Sequence, residues 1–279
     1  MFDWGFGLLF GLAAAGAWGA GDFSGGLASK GESAWRVVWG SQLVGGIGLF
    51  LLALLVGEAW PSGRALWLGG LSGLAGGVGL LALYRGLAVG RMGVVAPLAA
   101  VVTAVVPVLF GMWREGWPSG GQWLGFGLAL VAVWLVSGGD IWGDWGDWWW
   151  LPVVAGLGFG GFYILIDGFS EEAVYWPLVM ARVASVLVVG GVIVGRGEVG
   201  WPSWRGAGLM GVVGLFDTSG NVFFALATRW GRLDVASILG SLYPAMTVML
   251  AWIILGERLE KRQWWGVVMA LVAIGLVAG

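Results

Sequence analysis

The sequence predicts an all-α integral membrane protein: ten transmembrane helices, arranged as two inverted five-helix repeats around a central cavity. Three observations carry this. The 279 residues are 59% hydrophobic and 11% charged, whereas a soluble domain carries about 25% charged residues. Ten apolar runs, of about the 20 residues that a helix needs to cross a bilayer, follow one another with short connections. The chain also matches itself at an offset of 141 residues.

The first run starts at Trp4 and lacks the basic start of a signal peptide, so it reads as a retained helix. Its Gly7, Gly11, Ala15 and Gly19 recur every four residues, a stripe on which backbones approach closely. Helix 2 covers about 36–56. Helix 3, at 66–89, follows Trp60-Pro61-Ser62 and carries a second stripe at Gly69, Gly73 and Gly77. Helix 4, at 93–113, holds Pro97 and Pro107, and a proline inside a helix frees a carbonyl and kinks the axis. Helix 5, at 121–138, follows Trp117-Pro118-Ser119, and an acidic, aromatic link from Asp140 to Asp147 closes the first half. Helix 6 (148–168) opens on three tryptophans, and helix 7 (175–195) holds Arg182. Helix 8 (205–228) follows Trp201-Pro202-Ser203, helix 9 (233–255) has Pro244 inside it, and helix 10 (263–278) opens on Trp264-Trp265. Tryptophans at such boundaries suit the membrane interface, and a proline suits the first turn of a helix. Continuous runs of this length do not fit a β-barrel, whose strands alternate over about ten residues.

The self-match is specific. Trp60-Pro61-Ser62 falls on Trp201-Pro202-Ser203, Arg64 on Arg205, Gly90-Arg91 on Gly231-Arg232, and Gln122-Trp123 on Gln263-Trp264. The halves are 1–140 and 141–279. Five helices is an odd number, so the second copy enters the membrane from the opposite side. Many transporters share that plan, with the substrate site between the repeats.

Composition excludes much chemistry. There is no cysteine and no histidine, which removes disulfides, thiolate sites, and the commonest general base and metal ligand. No carboxylate cluster sits inside an apolar run, so no metal, cofactor or catalytic residue is expected. A net charge of −2 without a basic run points away from nucleic acid.

Gly16-Ala17-Trp18-Gly19, Ala82-Leu83-Tyr84-Arg85-Gly86-Leu87, Gly93-Val94-Val95-Ala96-Pro97-Leu98 and above all LYPAMTVMLAWIILGERLEKRQWWG (Leu242 to Gly266) resemble the EamA-type domain of the drug/metabolite transporter superfamily. The likeness runs nearly the whole length. The first repeat departs from it at Arg114-Glu115-Gly116. The resemblance implies ten helices around a cavity and export of small metabolites. Expected partners are a small-molecule substrate and the lipid bilayer, in an inner or plasma membrane, for a chain acting as a monomer or weak homodimer. A lipid-handling, flippase-like protein or a structural membrane protein is the alternative.

Helix 8 contains the stretch GLFDTSGNVFF, which puts Asp217 and Asn221 one turn apart in an oily segment. A central Asp costs roughly 2.5–3.5 kcal/mol on insertion scales, and its repeat mate is Gly76, so the fold itself does not require the acid. Asp22 lies in helix 1 opposite Tyr163 in the repeat register, and Arg182 is the cation deepest in a segment. Three roles fit Asp217: a structural network with Asn221, Arg182 or Asp22; a cation or substrate-amine site; or a proton site. The candidate proton or ion-pair site is therefore Asp217, Asp22 and Arg182. The candidate substrate cavity adds Trp18, Tyr84, Tyr163, Asn221 and Tyr243, whose rings offer apolar area with a polar tip. Asp167, at the end of helix 6, reads as interfacial.

Overall fold

Backbone groups surrounded by lipid need partners within their own segment, and the described residues form helices without a strand. The computed structural model describes residues 4–29, 31–89, 92–137, 148–198, 200, 202–256 and 260–278. The helices are α1 (Trp4–Ala28), α2 (Ala34–Val56), α3 (Gly63–Val89), α4 (Met92–Glu115), α5 (Gly120–Ser137) and α6 (Trp150–Ser170). They continue with α7 (Tyr175–Gly195), α8 (Trp204–Trp230), α9 (Leu233–Gly240), α10 (Tyr243–Leu255) and α11 (Lys261–Ala278). Among the described residues, eight stretches are long and apolar enough to cross a membrane, α9 and α10 counting as one, and α5 is a shorter apolar helix. The link from Asp140 to Asp147 lies outside the described residues.

One expectation is corrected in the ninth segment. It is not a kinked helix. It breaks at Ser241-Leu242, and Pro244 stands in the first turn of α10, where no helical donor is needed. Its counterpart α4 runs unbroken through Pro107. The three Trp-Pro-Ser triplets also differ from expectation. The proline precedes the cap, and the serine is the N-cap: Ser62, Ser119 and Ser203 accept from the N–H of Ala65, Gln122 and Gly206 at 3.3, 3.2 and 3.1 Å. At α5 the cap is reciprocal, because Gln122 Oε1 accepts the Ser119 N–H at 2.9 Å.

α2 and α7 end alike. Gly57 and Gly197 take φ of 68° and 67°, a left-handed turn that glycine adopts without steric cost. Each turn presents the next residue, Glu58 or Glu198, to the start of the other helix. Glu58 accepts the N–H groups of Val174, Tyr175 and Trp176, and Glu198 accepts the hydroxyl of Ser33, next to α2. Two more acids bind across the halves. Glu172 accepts both the N–H and the hydroxyl of Ser62, and Glu32 accepts the N–H of Ser203. These contacts define two ends of the bundle. One gathers the α1–α2 and α7–α8 connections, the other the α2–α3 and α6–α7 connections.

The bonds from Ser62, first the N–H and then the hydroxyl, hold the Glu172 carboxyl below its ordinary value near 4.5. Hydrogen bonds from Ser203 lower Glu32, and those from Ser33 and Arg196 lower Glu198. A carboxyl whose folded pKa is depressed stabilises the fold above its unfolded pKa, and that contribution is lost as pH falls through the folded value. The melting temperature of the purified protein should therefore drop as pH falls below about 4.5. Glu172→Gln should melt lower at neutral pH and lose part of that acid dependence, as a melting series from pH 7 to pH 3 would show.

The most extensive packings join helices from different halves: α1 on α8, α3 on α6, α5 on α11, α3 on α7, α4 on α6 and α2 on α7. Exchanging the halves maps α1·α8 onto α3·α6, α3·α7 onto α2·α8, and α4·α6 onto α1 with α9 and α10, while α5·α11 and α2·α7 map onto themselves. The glycine stripes permit this. A Cβ at Gly69 or Gly73 would lie 2.1 Å from the carbonyl oxygen of Pro177 or Ala181 in α7. In α1, Gly7, Gly11 and Gly19 rest on Gly231, Leu239 and Tyr243. Large apolar side chains such as Leu55, Leu187 and Leu271 point outward, and exposed tryptophans, Trp60, Trp113, Trp117 and Trp204 among them, cluster near helix ends.

Candidate functional site

The polar residues inside the apolar segments converge. α8 brings Asp217, α7 brings Arg182 and α2 brings Gln42. Arg182 Nη1 donates to Asp217 Oδ2 at 2.6 Å and also to Gln42 Oε1. Arg182 is buried, while the Asp217 side chain is 34% exposed. The guanidinium's Nε and Nη2 are buried and have no hydrogen-bond partner among the described residues. Idle buried donors are costly, so they mark a site that another group can complete. Gln42 escaped the sequence reading, although a lone amide within the apolar run of α2 could have flagged it.

Asp217 and Asn221 share a helix face but not a bond. Asn221 Oδ1 instead accepts the indole N–H of Trp18 at 2.9 Å. Gly220 makes room for that ring, since a Cβ there would lie 2.4 Å from Trp18 Cδ1. Trp18 stacks on Tyr163 with centroids 5.4 Å apart and planes 5° apart, and both touch Phe224. This trio is buried.

Trp18, Asp22, Tyr163, Arg182, Asp217, Asn221 and Tyr243 line one chamber of about 240 Å³. Phe162 and Thr103, also in its wall, were not anticipated. Pro107 removes the helical donor for the Thr103 carbonyl. The side chain of Tyr84 lies outside the described residues. Asp22 forms no hydrogen bond or ion pair among the described residues, and it is exposed. The chamber joins a vestibule of about 1330 Å³ that shares Asp22, Gln42, Asp217 and Tyr243 and reaches Ser29, Trp35 and Arg196 at the α1–α2 end.

Toward the other end the bundle is sealed. Below the aromatic trio, Thr228 donates to Ser170 at 3.1 Å. Arg114 pairs with Asp167, so Asp167, near the end of α6, is a buried ion-pair partner. The sequence could not show this, because the two lie 53 positions apart. Arg232 pairs with Asp234 at 2.7 Å and approaches Glu115 at 3.8 Å.

No curated protein matches the sequence. Solved structures share the fold; one crystal structure superposes with a TM-score of 0.80 over 97% of this chain and 95% of its own at 14% identity. The EamA-like transporter family matches twice, over residues 5–138 and 144–279. Both halves of the chain are thus accounted for by one family, and the chain belongs to the EamA-like transporter family, whose members are multi-pass membrane transporters.

Proposed function

We propose that the protein exports small amphipathic, amino-acid-like metabolites across the cytoplasmic membrane by alternating access, coupled to protons. Ten spans in two repeats of opposite polarity would form the carrier, with α9 and α10 together making the ninth. The opposite polarity is supported by the loops: α1 ends at the α1–α2 end of the bundle, whereas its counterpart α6 ends at the α2–α3 end. One chain encloses the whole chamber, which supports a monomer as the working unit. Export rests on the family resemblance.

The observation that carries the reading is a chamber with both signs of charge, open at one end and sealed at the other. The unpaired Asp22 suits an ammonium group or a proton. The idle Arg182 nitrogens suit a carboxylate, and the rings of Trp18, Tyr163 and Phe162 suit an apolar side chain. An intramembrane acid without a partner is a functional group by default.

Liposomes holding the protein and a panel of labelled amino acids provide the test. Wild-type efflux should accelerate under a proton gradient. Asp22→Asn should fold normally, slow efflux about tenfold, as expected for one lost charge-assisted contact, and abolish the acceleration. Unchanged flux and unchanged gradient dependence in Asp22→Asn would refute the coupling role. No flux of any amino acid in wild type would refute the substrate class.

A further inference from the structure

Outside the chamber, a second cavity of about 430 Å³ lies where α3, α4 and α6 meet at the sealed end. α3 and α4 both pack closely on α6 and only lightly on one another, which leaves a cleft between them. Its rim is charged and its depth is apolar. Arg64 is the second residue of α3, Arg114 the penultimate residue of α4, and Glu171 follows the last residue of α6. One turn inward stand Leu68 and Phe110, and two turns inward from Glu171 stands Ile164.

We propose that this cleft binds a zwitterionic phospholipid: its phosphate lies between Arg64 and Arg114, its amine at Glu171, and the start of an acyl chain along Leu68, Phe110 and Ile164. Arg114 engages Asp167 through Nη1 alone, and its side chain remains 43% exposed. Arg64 is exposed, and no hydrogen bond or ion pair ties it to a described residue. Both guanidinium groups therefore have donors to spare for a phosphate. The cleft is lined by two cations and two acids, the buried Asp167 being the second, so its net charge is zero. That pattern complements a headgroup with one charge of each sign better than a purely anionic one. The depth order, charges at helix-end level and apolar walls beneath, is that of a lipid in a bilayer. Repeat symmetry does not explain the cleft, since the mates of Phe110, Arg114 and Asp167 are Ala251, Leu255 and Gly26. A bound lipid would bridge α3 to α4 and hold Arg114 beside Asp167, favouring the sealed end. The proposal requires a membrane-spanning chain but not the carrier mechanism.

The test uses the full chain, delipidated in a neutral detergent, with bound lipid counted by native mass spectrometry and stability followed by melting. The probes are phosphatidylethanolamine, phosphatidylglycerol, diacylglycerol and free phosphoethanolamine. Phosphatidylethanolamine should be retained and raise the melting temperature by about 3 °C or more, with the other three at least about tenfold weaker. Arg64→Gln, which leaves the Arg114–Asp167 pair in place, should cost about tenfold in retention. Gly168→Leu is the second variant. A Cβ at Gly168 would lie 3.3 Å from Leu68 Cδ1, so the longer side chain fills the cleft and should abolish the stabilisation. Equal retention of diacylglycerol would overturn the phosphate contact, and tighter phosphatidylglycerol would overturn the zwitterion. Equal binding of free phosphoethanolamine would overturn the lipid source. Wild-type retention in both variants would overturn the location.

Discussion

Asp217→Asn will abolish transport and cost about 3 kcal/mol of stability, because it leaves the Arg182 guanidinium as a buried cation without a counter-ion. The estimate sits at the low end of the range for a broken buried pair, since the Asp217 side chain is one-third exposed to the chamber. Arg182→Gln alone should destabilise less, as the freed carboxylate faces the open vestibule. The double variant separates folding from function. With both charges gone, the site holds neutral amides that can bond each other and Gln42, and stability should return to within about 1 kcal/mol of wild type. Transport should not return. Chemical denaturation gives the first quantity and vesicle flux the second. A double variant that transports normally would reduce the pair to scaffolding.

Trp18→Ala will open the floor of the chamber. Losing a buried indole from a packed aromatic cluster costs about 3–5 kcal/mol, and here the loss also strands Asn221 without its donor. The ring separates the chamber from the Thr228–Ser170 contact beneath it. Vesicles carrying the variant should therefore leak small solutes without a driving gradient. Trp18→Phe keeps a smaller ring against Tyr163 and removes the N–H with part of the indole, at a cost of about 1–3 kcal/mol for the unpaired amide alone. It should slow transport without leak. Equal leak from both variants would show that the hydrogen bond, not the ring, closes the floor.

The spans and the duplication were legible because lipid demands long apolar runs and because tryptophan, proline and arginine recur in register. Asp217 and Arg182 stood out as charges within oily segments. Their pairing was one of several open options, since chain spacing alone does not bring α7 against α8. The Trp18–Asn221 bond was hidden by the i, i+4 rule, which favours Asp217 and Asn221 as partners. It is Gly220, one position away, that admits the indole. The break at Ser241 did not interrupt the run from 233 to 255 as a single span, since its mean hydropathy stays high, although Gly240, Ser241 and Pro244 mark the place. The burial of Asp167 depends on Arg114, a partner no local pattern points to. The cross-half packing and the latches at Glu32, Glu58, Glu172 and Glu198 depend on tertiary contacts that periodicity does not carry.

The chain's lack of cysteine makes side-specific labelling the most direct test. Leu80 lines both chamber and vestibule without joining the polar network. In sided membrane vesicles carrying Leu80→Cys, a membrane-impermeant thiol reagent should react quickly from the α1–α2 side at rest. Under an opposing substrate gradient, that reaction should slow while labelling from the α2–α3 side rises in step. Fast labelling from both sides at once, or none from the α2–α3 side under any gradient, would contradict a chamber that faces the two sides in turn.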